Sequence, residues 1–296
     1  MTLTALIAGD AHPALAKDIA RESGLALLPA QIGAFADGET RVRIDAEVRG
    51  MHLGIVQPTP APVGERLMTL ALLADAARAA GAASVTALVP YFGFARQDVR
   101  GAPGEPRSAQ FAARLLAAAG IERMVTLELH SSALESAFPM PVTQLRADDA
   151  VLPLLRGRGY TVVSPDAGGM KRAQRYAIAL GAPLAAVAKQ RTGTDVAVPL
   201  QVLGEVRGAT CLLVDDMAST GRTLAGAAQA LAAAGATEMH AFFVHAVMAP
   251  GALERLRAAG VRRVLTTDSV RPVAEPGVEV VTVAPLFAAA LRAGLR

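Results

Sequence analysis

The chain has 296 residues, enough for one large or two ordinary domains. Hydrophobic residues make up 52% and charged residues 19%, which excludes a disordered chain, and no apolar stretch reaches the roughly 18–20 residues of a membrane helix. The net charge of +3, with scattered arginines and 4% aromatics, suits anionic metabolites and makes no nucleic-acid footprint.

Short apolar runs alternate with Ala-rich amphipathic segments from end to end. In chain order, strands are predicted over 4–8, 53–57, 84–90, 124–129, 161–164, 184–188, 211–214, 241–247, 264–267 and 278–283. Helices are predicted over 13–23, 64–80, 107–119, 147–156, 169–180, 222–234, 251–259 and 285–293. Gly24, Gly81, Gly120, Gly181, Gly235 and Gly260 stand where helices close. Continuous apolar strands alternating with helices predict parallel sheets covered on both faces. The pattern restarts near 147–160, so two α/β domains are expected rather than a closed barrel. The boundary is placed near 141–146, giving an N-terminal domain over 1–143 and a C-terminal domain over 144–296. The N-terminus meets Asp10 and His12 without a basic region, so no secretory signal is expected. The lone Cys211, in an apolar run, reads as a buried structural thiol in a reducing cytoplasm.

Ligands of open α/β sheets sit at the carboxyl ends of strands, so polar residues there carry the functional argument. The most informative stretch is Val214-Asp215-Asp216-Met217-Ala218-Ser219-Thr220-Gly221-Arg222-Thr223-Leu224. A strand that ends in two carboxylates turns through a Ser/Thr/Gly loop into a helix. Loop amides and the helix N-terminus can hold a phosphate dianion, and the carboxylates can accept hydrogen bonds from sugar hydroxyls. These residue types together point to a sugar phosphate.

Other segments allow two readings each. Phe35-Ala36-Asp37-Gly38-Glu39 reads first as a hairpin or loop turn. Pro90 to Asp98 gathers three aromatics beside Arg96, Gln97 and Asp98; the rings could pack a purine and Arg96 could meet a polyphosphate, or the rings could form a small core under a loop. His130 closes the fourth strand and could bind a metal or a phosphoryl oxygen, or be a hydrogen-bonded histidine at a strand tip. Asp166 enters a Gly-Gly turn at a helix start, either to hold Mg²⁺ or to cap the helix. Lys189 and Arg191 lead into a Thr/Gly loop that could close on phosphates or stay solvated. His12, His52, His240 and His245 have no supporting pattern and read as structural or surface residues.

Taken in order, these segments resemble the ribose-phosphate diphosphokinase, or PRPP synthetase, family. The resemblance runs in register over most of the chain, and the aromatic-Arg-Gln-Asp segment is its most specific part. It implies two tandem type I phosphoribosyltransferase-like domains, each a mainly parallel sheet flanked by helices. It implies transfer of the β,γ-diphosphoryl group of ATP to the C1 hydroxyl of ribose 5-phosphate, with Mg²⁺ as cofactor. By the same resemblance, Phe35, Asp37, Gly38, Glu39, Arg96 and Gln97 bind ATP. Asp215 and Asp216 take the ribose hydroxyls, and Ser219, Thr220, Gly221, Arg222 and Thr223 the 5-phosphate. His130 and Asp166 position the metal, and Lys189 and Arg191 act in catalysis. The ATP loop at 35–39 reaches a neighbouring subunit in this family, so a homo-oligomer is implied. Gln190, Ser219 and Arg222 depart from the usual pattern. The competing readings are a phosphoribosyltransferase and a non-catalytic nucleotide-binding regulator. The first would not need the segment 94–98 or a second full domain. The second would be favoured if Lys189, Arg191, His130 or Asp166 were missing, and all four are present.

Overall fold

The computed structural model describes residues 2–189, 200–272 and 275–294. The chain divides into two compact units. One comprises Met1–Ala147, Ser269–Arg271 and Thr282–Arg296; the other comprises Asp148–Asp268 and Pro272–Val281.

The first unit contains β1 (Ala5–Ala8), α1 (Pro13–Ser23), β2 (Ala26–Leu28), β3 (Ala30–Ala34), β4 (Thr40–Ile44), β5 (His52–Val56), α2 (Val63–Ala79), β6 (Ser84–Val89), α3 (Ser108–Ala118), β7 (Arg123–Leu127) and β8 (Val142–Leu145). A 3₁₀ turn spans Ser132–Ala137. Six strands form a parallel sheet in the order β2-β1-β5-β6-β7-β8, and β3 and β4 form a separate antiparallel hairpin. β6 is buried at every residue, as a strand covered on both faces must be. α1 shows how local chemistry sets a boundary: His12 Nδ1 accepts the Leu15 N–H at 3.2 Å, Pro13 follows, and Gly24 ends the helix at φ 74°.

The second unit contains α4 (Asp148–Leu155), β9 (Tyr160–Ser164), α5 (Met170–Leu180), β10 (Leu184–Lys189), β11 (Leu200–Leu203), β12 (Thr210–Ala218), α6 (Arg222–Ala233), β13 (Glu238–Ala246), α7 (Ala252–Ala258), β14 (Val261–Thr267) and β15 (Val278–Val281). The sheet order is β11-β10-β9-β12-β13-β14-β15, parallel except for the edge strand β11. Its core joins Leu213, Phe243 and Val264 of the sheet to Leu224 and Leu231 of α6.

The two sheets share one winding. From the first strand of each unit the chain steps outward to one neighbour and later returns to the other side, so the switch points lie between β1 and β5 and between β9 and β12.

The ten predicted strands and eight predicted helices all exist. Five further strands, β2, β3, β4, β8 and β11, were not predicted; they are short and half exposed and lack a continuous apolar run. The last helix, α8 (Ala284–Arg292), belongs to the first unit, whereas the expected division at 143/144 gave it to the second domain. Its Phe287, Ala288 and Leu291 are buried, and Arg292 donates to the Glu22 carbonyl at the end of α1. Among the described residues, no helix is long and apolar enough to cross a membrane.

Candidate functional site

The switch point of the second unit carries the densest polar chemistry. β12 does not stop at Val214 as predicted; it continues through Asp215, Asp216 and Met217 to Ala218. This extension pairs with β13, Asp215 opposite Phe243 and Ala218 opposite Ala246, while pairing with β9 ends at Leu213 opposite Val163. The two carboxylates therefore stand on a strand with one edge unpaired, beside the loop that leaves β9. The Asp215 side chain is 14% exposed and that of Asp216 6%. Nη1 of Arg172, from the first turn of α5, lies 3.7 Å from Asp215 Oδ1 and 3.6 Å from Asp216 Oδ1. Asp215 Oδ1 also accepts the Asp216 N–H at 2.8 Å. Burial first, then hydrogen bonding and repulsion from Asp216, push the Asp215 carboxyl up to about 8, against the pull of Arg172. The sequence reading gave Arg172 no role, because only the packing of α5 on β12 reveals what it faces.

After β12, Ser219 and Thr220 lead into Gly221, which caps α6 in the left-handed region at φ 71°. The segment between β13 and α7 braces this loop. Ala218 and Ser219 carbonyls accept the N–H groups of Met248 and Ala249 at 2.9 and 3.0 Å, and Arg255 donates to the Thr220 carbonyl. Arg222 and Thr223 are exposed at the start of α6. The first-turn amides of a helix have no intrahelical acceptor, so this end is equipped to hold an anion beside the carboxylates.

Asp166 leaves β9 into the turn that starts α5. Its Oδ1 accepts the Gly169 N–H at 3.0 Å, and Ser164 Oγ donates to its carbonyl at 2.7 Å. Asp166 thus braces the turn before α5 and is not the cap, because the N-cap is Gly169 and no side chain caps the helix; the exposed carboxylate retains further oxygen lone pairs. Lys189 ends β10, paired with Leu200; its side chain, and Gln190 and Arg191 entirely, lie outside the described residues.

In the first unit the corresponding switch point is closed. A Cβ on Gly9 would collide with the Gln57 side chain, which is fully buried. Gln57 Oε1 accepts the Ala11 N–H at 3.1 Å, its Nε2 donates to Asp10 Oδ1 at 2.8 Å, and Arg66 pairs with the same Asp10. The predicted residues of this unit lie elsewhere. The segment after β6 is stitched to the one after β5: Gly93 N–H donates to Thr59 Oγ1 at 2.7 Å, and Thr59 Oγ1 donates to the Tyr91 carbonyl at 3.2 Å. Phe92 is 2% exposed and packs edge-on against Phe138, with centroids 5.1 Å apart. Tyr91 is buried as well, so these two rings are core and not a purine platform. Arg96 is exposed, and Gln97 Oε1 accepts the Ser108 hydroxyl at 2.6 Å at the start of α3.

β7 ends at Leu127, three residues before His130, with Glu128 in the left-handed region at φ 33°. His130 is exposed, and Ser131 beside it donates to Asp98 Oδ2 at 2.8 Å, which brings its loop to the Arg96–Asp98 segment. Phe35 to Glu39 form the exposed tip of the β3–β4 hairpin, as the turn reading expected. The tip is closed by Phe35 N–H to the Glu39 carbonyl at 2.8 Å and by Gly38 at φ 91°, with the Arg41 guanidinium 5.7 Å from the Phe35 ring centroid. Among the described residues, no three His, Cys, Asp or Glu side chains converge as a metal cage.

Two histidines read as structural are so engaged. His52 Nδ1 lies 2.8 Å from Ser84 Oγ, and His240 Nδ1 lies 2.7 Å from the Tyr160 hydroxyl. Burial pushes the Cys211 thiol up to about 11, leaving it inert at neutral pH.

Comparison with known proteins bears on this arrangement. Residues 4–120 match the N-terminal domain of ribose phosphate pyrophosphokinase, and residues 153–277 match a phosphoribosyl transferase domain. The chain is 38% identical over 294 residues to a ribose-phosphate pyrophosphokinase of Caldanaerobacter subterraneus subsp. tengcongensis, covering 97% of this chain and 93% of that one. The chain belongs to the ribose-phosphate pyrophosphokinase family. A Helicobacter pylori ribose-phosphate pyrophosphokinase is 36% identical over 291 residues, 97% of this chain and 92% of that protein. The crystal structure of phosphoribosylpyrophosphate synthetase from Mycobacterium smegmatis superimposes with a TM-score of 0.91 at 36% identity, covering 98% of this chain and 97% of the other. Membership of the pyrophosphokinase family accounts for two α/β units of like winding, the second of which matches the phosphoribosyl transferase domain.

Proposed function

We propose that this pyrophosphokinase transfers the β,γ-diphosphoryl group of ATP to the C1 hydroxyl of ribose 5-phosphate, giving 5-phosphoribosyl 1-diphosphate and AMP. The observation that carries the reading is the pair of half-buried Asp215 and buried Asp216 directly before the loop that starts α6, in a chain of this family. In this reading Ser219 to Thr223 hold the 5-phosphate, and Asp215 and Asp216 hold the ribose hydroxyls. Arg96 and Gln97 bind ATP together with Phe35, Asp37, Gly38 and Glu39. The exposure of that hairpin tip supports a contact with a second copy of the chain, hence a homo-oligomer with the ATP site at a subunit interface.

Phosphoryl transfer asks a protein for positioning and charge neutralisation more than for covalent chemistry. Lys189 and Arg191 supply positive charge to the transferring group and close over it, which keeps water from the reaction. Mg²⁺ suits the donors present. It is commonly bound by one or two carboxylates plus substrate phosphates rather than by a protein cage, and Asp166 offers an exposed carboxylate. His130 would add a nitrogen ligand. When bound, the ion neutralises phosphate charge. A cytoplasmic location completes the reading.

The test is to mix the protein with ATP, Mg²⁺ and ribose 5-phosphate and to identify the nucleotide product. AMP is expected. ADP would indicate a simple kinase, and no product would return the chain to a binding role.

A further inference from the structure

Arg172 sits where two loops of the candidate site meet. It lies in the first turn of α5, three residues after Gly169, whose N–H is held by Asp166. Its side chain is 12% exposed, and one nitrogen faces both carboxylates of the β12 extension at nearly equal distance. Two neighbouring carboxylates cannot both stay charged in such a site without a partner, because each loses hydration and repels the other. One cation shared between them balances one of the two charges and fixes both side chains against a helix that the β9 turn positions.

We infer that Arg172 is the positioning residue of the sugar site, orienting Asp215 and Asp216 toward the pentose diol and tying them to the Asp166 turn. This inference rests on the ribose 5-phosphate assignment above. Arg172 itself acts through the carboxylates and need not touch the sugar. Lysine can supply the charge but carries it on a shorter stem as a compact ammonium, so it substitutes only in part.

The test uses the intact protein and steady-state kinetics in each substrate. Arg172→Met should raise KM for ribose 5-phosphate about tenfold to hundredfold while KM for ATP stays within about threefold. Arg172→Lys should recover part of that loss. An unchanged ribose 5-phosphate KM in a folded Arg172→Met protein overturns the inference, and so does an equal rise for both substrates. The double variant Asp215→Asn with Asp216→Asn separates the two levels. If it weakens ribose 5-phosphate and Arg172→Met does not, only the role of Arg172 fails; if it leaves ribose 5-phosphate unaffected, the sugar site itself is misassigned. Should Arg172→Met lose its fold, Arg172→Met with Asp216→Asn removes the excess negative charge, because Asp215 keeps its proton, and should refold. Persistent unfolding of that double variant also overturns the inference.

Discussion

Gly221 faces the carbonyl oxygen of Ala252 so closely that a Cβ there would lie 3.0 Å from it. The same glycine holds φ 71°. Backbone shape and packing thus both require glycine where the loop after β12 enters α6. Gly221→Ala should destabilise the protein by about 1–2 kcal/mol in denaturant unfolding, from the left-handed conformation alone. It should also weaken ribose 5-phosphate, because the loop amides move. Full stability and affinity together would show that the loop tolerates a side chain.

The Asp215–Asp216 pair makes stability depend on pH in an unusual direction. Folding raises the Asp215 pKa from 3.8 to about 8, so the native state keeps a proton that the unfolded chain has released. Stability from this site is therefore greatest below the ordinary carboxylate range. It falls as pH rises toward 8, by up to about 1.4 kcal/mol per pH unit. Asp215→Asn should flatten that slope in urea unfolding between pH 5 and 8, a window set by the two pKa values. An identical slope in the variant would show that the pair carries no extra proton.

Thr59 holds the Arg96 segment in place. Its hydroxyl accepts from the buried Gly93 N–H, and a valine there leaves that N–H without its acceptor. Thr59→Val should cost about 1–3 kcal/mol of stability. On the proposed reading it should also raise KM for ATP more than KM for ribose 5-phosphate. Equal shifts in both would detach this segment from nucleotide binding.

Lys189→Ala should lower kcat by orders of magnitude with a smaller change in KM, because a charge that neutralises the transferring group acts mainly in the transition state. Loss confined to KM would assign Lys189 to binding alone.

How much was legible depended on burial. β6, β9 and the first half of β12 are mainly apolar and free of charge because both faces are covered, and such runs stand out in a sequence. The hairpin strands Ala30–Ala34 and Thr40–Ile44 are partly exposed on every residue and escaped. The acids of β12 looked like a strand end since charge interrupts the apolar run. Their backbone nevertheless stays paired with β13 on one side.

By itself the sequence determined the alternation of strands and helices, the restart that makes two units, and the Asp-Asp-loop-helix that proposes a sugar phosphate. These are local or periodic, set by turn chemistry and by which faces must be apolar. Tertiary structure decided three other things: that α8 returns to the first unit, that Gln57 fills one switch point while the other stays lined with acids, and that Arg172 faces those acids from a neighbouring helix. An amphipathic helix can bury its stripe on any matching surface, and charges far apart in sequence meet only through packing. Neither fact is written in residue order.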